Sequence, residues 1–122
     1  MNAPAQGIQS HPFVLRQKLE DFCHWFFPVV DRFPKKERWA LCTQIKNCLY
    51  RLVRRTIQLQ KSKNKVGHIF EVDIDLEMLR YLIRQAHTSR YLSSNRLRHA
   101  SVLVGEIGKI LGGMLRKCGV QP

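Results

Sequence analysis

The sequence predicts an all-α fold, an up-down four-helix bundle. Three observations carry this. Apolar residues recur at three- and four-residue steps along four stretches. Two of those stretches run to about 20 residues or more, and short polar breaks with proline, glycine or serine pairs separate them. With 122 residues and 44% apolar content, the chain has the size of one domain and enough material for a core.

Taken in order, residues 1–12 (MNAPAQGIQSHP) are expected to form a flexible tail, the bundle to occupy 13–118, and 119–122 to form a C-terminal tail. The first helix is marked by Leu15, Leu19, Phe22, Phe26 and Val29, with Cys23 and Trp25 widening the stripe. Pro28 should kink or end it, because proline lacks the amide that continues a helix, and Phe33-Pro34 makes a turn. The second helix is expected from about Lys35 to Lys61, with Leu41, Ile45, Cys48/Leu49, Leu52, Thr56 and Leu59 on its apolar face. Ser62 to Gly67 is polar and reads as a loop. HIFEVDID alternates like a short strand but has nothing to pair with, so it reads as a connector ending in an Asp N-cap at Asp73 or Asp75. The third helix then carries Leu76, Leu79, Leu82/Ile83 and Ala86, and Ser93-Ser94 offers the N-cap of a fourth that ends near Lys117. Trp25 and Trp39 are expected in the core.

Charge sets the function class. Lys and Arg number 21 against 9 Asp and Glu, a net charge of +12. Such an excess speaks for a polyanionic partner rather than for a fold, and nucleic acid is the first candidate. Lys35 to Lys65 holds ten basic residues and one acid, Glu37; Arg80 to Arg98 holds five basic residues and no acid. The candidate nucleic-acid contacts are Arg51, Arg54, Arg55, Lys61, Lys63 and Lys65 on the second helix and its loop, Arg80, Arg84, His87 and Arg90 on or just after the third, and Arg96 and Arg98 on the fourth. Arg80, Arg84 and His87 follow i, i+4, i+7 opposite the leucines. Neutralised phosphates would supply salt-sensitive, weakly sequence-specific affinity. Glu71, Asp73, Asp75 and Glu77 are expected to favour the dipole at the start of the third helix.

No catalytic set, metal-ligand spacing or cofactor motif is read. Gly108-Lys109 is followed by Ile110 and follows no strand, so it is not a phosphate loop. Arg80 and His87, with six residues between them, loosely resemble the Arg-x(4–6)-His signature of HEPN-type ribonucleases; phosphate binding by the pair is the preferred reading. Cys23, Cys42, Cys48 and Cys118 form no CxxC pair and are expected as buried free thiols, which suits a reducing cytoplasm. The first twelve residues lack the apolar core of a signal peptide, and the longest mostly apolar window, Val102–Leu115, is too short to span a bilayer, so no membrane contact is expected.

Three segments carry a family resemblance: FFPVVDRFPKKERWAL, LEMLRYLIRQAH and VLVGEIGKILGGMLRK. Its most specific parts are Arg32-Phe33-Pro34-Lys35 with Arg38, and Glu106-Ile107-Gly108-Lys109 with Leu111-Gly112-Gly113. Over roughly residues 13–117 the chain resembles the Avd proteins, accessory variability determinants of diversity-generating retroelements. These belong with the four-helix-bundle proteins encoded by 23S rRNA intervening sequences. The resemblance implies a basic, barrel-shaped homopentamer that binds the retroelement's reverse transcriptase and its template RNA, supports mutagenic cDNA synthesis, and is not itself an enzyme. The alternative within the wider family is a general RNA-binding protein without a polymerase partner.

The glycines of the fourth helix remain to be placed. Ser101, Gly105, Gly108 and Gly112 fall at steps of 4, 3 and 4, a small-residue stripe that would let another backbone approach closely. That backbone is either another helix of the same chain or, given the implied pentamer, a second subunit.

Overall fold

The computed structural model describes the backbone of residues 3–121 and the side chains from Pro12 to Gln121. Four helices form it: α1 (Ala3–Asp31), α2 (Leu41–Lys61), α3 (Val66–Thr88) and α4 (Ser94–Lys117). A single 3-10 turn, Lys35–Glu37, sits between α1 and α2, and no strand occurs among the described residues. Each helix packs on two neighbours, α1 on α2, α2 on α3, α3 on α4 and α4 back on α1, with no diagonal contact among the described residues. Short connections between consecutive helices make this the expected up-down bundle.

The core is the one the helical periodicity marks. Leu15, Leu19, Phe22 and Phe26 of α1, Ile45, Leu49, Leu52 and Leu59 of α2, Ile69, Leu76 and Leu79 of α3, and Val104, Ile107 and Leu111 of α4 are all buried. Each such side chain contributes about 1.5–3 kcal/mol when taken from water. Thr56, buried among them, donates its hydroxyl to the Val53 carbonyl at 2.7 Å, so it leaves no unmet polar group in the apolar interior. Phe22 and Phe26 stack at 5.1 Å between ring centres, with Trp25 edge-on to Phe22 at 5.8 Å.

Several boundaries differ from the sequence reading. The expected tail over 1–12 lies partly outside the described residues; from Ala3 the backbone belongs to α1. Pro28 does not end α1, which runs on to Asp31. It faces solvent, and so does His24, whose carbonyl loses the i+4 amide; water can serve that oxygen. The second helix begins at Leu41 rather than Lys35, because Phe33-Pro34 leads into the 3-10 turn first. Its start is held from the side: Glu37 accepts from the Leu41 amide at 3.5 Å and from the Tyr91 hydroxyl at 2.7 Å, tying the α1–α2 corner to the α3–α4 corner. Trp39 sits on this corner 84% exposed, against the expectation of a core tryptophan, while Trp25 is half-buried against His99.

The largest correction concerns HIFEVDID, which is not a connector. It is the first part of α3, with Ile69, Val72, Asp75 and Leu76 on the buried side. Neither Asp73 nor Asp75 caps a helix; α3 starts at Val66 with no side-chain cap, and its first turn contains no acid. Ser93 does cap α4, its hydroxyl accepting from the Arg96 amide. At the other end Gly119, at φ 80°, turns the chain so that the Val120 amide bonds the Leu115 carbonyl at 2.9 Å.

Candidate nucleic-acid interface

The basic residues of α2 divide by helical phase. Arg51 and Arg55, one turn apart, point at α3. Arg51 Nε donates to Asp75 Oδ1 at 3.3 Å, and Arg55 pairs with Asp75 Oδ2 and, at 2.5 Å, with Glu71 Oε2. Asp75 is 7% exposed, one of the few buried polar residues of the chain. A carboxylate there is tolerable only because two guanidiniums satisfy it. Of the four acids expected to serve the dipole of α3, Glu71 and Asp75 therefore join α3 to α2, while Glu77 pairs with Arg80 of its own helix. Lys65 is likewise committed: its ammonium donates to the carbonyls of Leu59 and Ser62 at 2.8 and 2.7 Å, closing the C-terminal end of α2.

Arg54 and Lys61 point the other way. Together with Tyr50, Val53, Ile57, Gln58, Ser62 and His68 they line an open groove of about 600 Å³ with no acid in its wall. Neither makes an ion pair among the described residues. Tyr50 is 58% exposed and packs T-shaped against Phe27 at 5.3 Å. Tyr50, Ile57 and His68 were not among the residues the sequence pointed to. The signal existed: Tyr50, Arg54, Ile57 and Lys61, at steps of 4, 3 and 4, form a second face of α2.

On the opposite side α3 and α4 meet over Arg80 and Arg84. With Ile83, Leu97, Ser101 and Val104 these surround a small cavity of about 180 Å³. Arg80 also pairs with Glu77 at 3.0 Å. Its guanidinium lies across Gly108, where an added Cβ would come within 2.7 Å of Nη2. Gly112 faces Arg116 of its own helix, and Gly105 has nothing within 4 Å. Within the chain, then, the glycine stripe admits an arginine side chain and not another backbone. Arg84, Lys63, Arg96 and Arg98 are exposed. Arg90 follows α3 at φ 66°, a left-handed conformation unusual outside glycine, while the Tyr91 amide bonds the Ala86 carbonyl at 2.9 Å. His87 Nε2 lies 3.2 Å from Ser94 Oγ, and seven residues along a helix separate it from Arg80 by about 10 Å.

Burial raises the thiols of Cys23 and Cys48 to about 11 and lifts that of Cys42 as well. Cys48 Sγ donates to the Asp75 carbonyl at 3.4 Å, on the α2–α3 seam. Cys118 is exposed, unlike the other three. Among the described residues no three His, Cys, Asp or Glu side chains group as a metal site requires, and no helix is long and apolar enough to cross a membrane.

Fold and surface together define a strongly basic helical bundle whose cations are partly spent on its own acids and partly turned outward. The chain belongs to the bAvd-like family, the Avd proteins of diversity-generating retroelements, which matches residues 13–118. That is an accessory-protein family not known for catalysis. No curated protein matches the chain.

Proposed function

We propose that this protein is the non-enzymatic accessory subunit of a diversity-generating retroelement, binding the reverse transcriptase and its template RNA in the cytoplasm to support mutagenic cDNA synthesis. The family match over residues 13–118 carries the reading. The outward cations, Arg54, Lys61, Arg84, Arg96 and Arg98, support the RNA part, since unpaired charge is what displaces counterions from a phosphate backbone.

The reading includes self-association, with a homopentamer as the expected state. Support comes from α3, whose outer side carries Phe70, Ile74, Met78 and Tyr81 at steps of 4, 4 and 3, Ile74 being 67% exposed. Exposed Glu71, Asp73 and Glu77 lie beside that stripe. An apolar stripe edged by acids suits a contact between two different surfaces, head to tail, which closes into a ring where the rotation between copies allows.

The test is co-expression of the tagged protein with the reverse transcriptase of its retroelement. The polymerase is expected to co-purify, and the combined Arg54, Arg84, Arg96 and Arg98→Ala variant should lose template RNA while keeping its solution mass. A polymerase that never co-purifies, or RNA retention unchanged by the variant at moderate salt, would count against the reading.

A further inference from the structure

The groove on the outer face of α2 differs from the cavity beside Arg80 and Arg84 in carrying an aromatic ring, Tyr50, beside Val53 and Ile57. Tyr50, Val53, Arg54, Ile57 and Lys61 run along one side of the helix for about 16 Å, and His68 of α3 closes the far end. One turn before Tyr50, Lys46 pairs with Asp31 and lies 5.9 Å from the Phe27 ring centre, so its charge is already answered. The open charges therefore begin at Arg54. Tyr50 is held by Phe27 and leaves more than half its surface to solvent.

A duplex has no use for such a ring, because its bases are stacked inside and it offers phosphates and sugar edges. A single strand offers both chemistries at once: unstacked bases that lie on an aromatic ring, and phosphates that meet cations a turn or two away. We propose that this groove is a single-strand RNA track, in which a base stacks on Tyr50 beside Val53 and Ile57 while Arg54, Lys61 and His68 hold the neighbouring phosphates. The inference rests on the RNA-binding reading above and narrows it to one face and one form of the nucleic acid. It also gives the two basic surfaces different work, with the exposed arginines of α3 and α4 serving phosphate of any form.

The experiment uses the full chain and two labelled RNAs at fixed salt: an oligouridylate of about a dozen nucleotides, unstructured by itself, and a duplex of the same length. Tyr50→Ala should weaken the single strand about tenfold, the loss expected for one stacked base, and leave the duplex unchanged. Tyr50→Phe should restore binding to within about twofold, since the ring and not the hydroxyl carries the stack. Arg54→Ala with Lys61→Ala should lower the salt slope for the single strand by about 1.4. Equal losses for both RNAs, or none, would overturn the track. So would a change in solution mass on Tyr50→Ala, which would make the groove a protein contact. If the unaltered protein held neither RNA, the RNA-binding reading itself would fall; if it held both and Tyr50→Ala changed nothing, only the track would fall.

Discussion

Arg54 and Arg55 are neighbours in sequence with opposite surroundings. About 100° of helical turn separates them. Arg55 meets Asp75 and Glu71 on the seam between α2 and α3, whereas Arg54 meets open solvent in a groove without acids. The seam spends positive charge on holding two helices in register. The outer face leaves it available to a polyanion. A count of the 21 basic residues treats the two arginines alike and so overstates what the chain can offer a partner. Phase on the helix, not density along the sequence, decides which cations are free.

The sharpest way to break this contrast is to remove the acid. Asp75→Ala leaves Arg51 and Arg55 without their buried partner and removes the carboxylate that joins α3 to α2. We expect a cost of about 2–3 kcal/mol, near the lower end for buried pairs because both arginines can swing toward water. Thermal melting should fall by roughly 10 °C. Arg54→Ala should move the melting point by less than about 0.5 kcal/mol in stability terms, since nothing in the fold leans on it. Similar losses for both variants would mean that the two faces do not differ in the way the geometry shows.

Alkaline pH probes the same seam through Cys48. Folding favours its neutral thiol, whose pKa is raised from about 9 to about 11 by burial. That preference is fully present below the ordinary thiol pKa and fades as pH climbs toward 11, a loss of about 2–3 kcal/mol across the window. Denaturant unfolding at stepped pH should show the decline, and Cys48→Ala should flatten part of it. Cys23, raised to a similar value on α1, would account for a remaining slope. A decline unchanged in Cys48→Ala would place the alkaline sensitivity away from the seam.

What could be read from sequence follows the same division. The inward faces of α1, α2 and α4 repeat at helical steps with polar residues between, so their core positions were legible. The start of α3 was not, for a physical reason. Ile69 and Val72 face the core while Phe70 and Ile74 face out, so apolar residues on two sides erase the single stripe that marks an amphipathic helix and leave an apparent alternation. Pro28 misled differently: a proline on the wet side of a packed helix costs one hydrogen bond, and the core burial of Phe26, Val29 and Val30 outweighs it. The basic residues are plain in the sequence, but the partners of Arg55 and Lys65 are not. Both lie across a helix boundary, and in sequence the acids that hold Arg55 read as belonging to a helix end. Tyr50 and Ile57 carry no charge, so charge patterning alone does not mark the groove.

The glycines of α4 allow the smallest and most discriminating test. In the isolated chain Gly105 faces open space, so an alanine there meets no neighbour and gains helix propensity. Gly105→Ala should raise stability by about 0.5–1 kcal/mol. At Gly108 the same change pushes on the Arg80 guanidinium, a movable group, so the propensity gain and the lost contact should nearly cancel. The order of the two variants reverses if a second copy covers the stripe. Gly105 would then be the position where a foreign backbone comes close, and its alanine would weaken assembly and lower the melting point at concentrations where the oligomer forms. Melting measured over a dilution series, with solution mass at each concentration, separates the cases. A gain independent of concentration leaves Gly105 an uncovered glycine, and the apolar stripe of α3 then stands as the better candidate for the subunit contact.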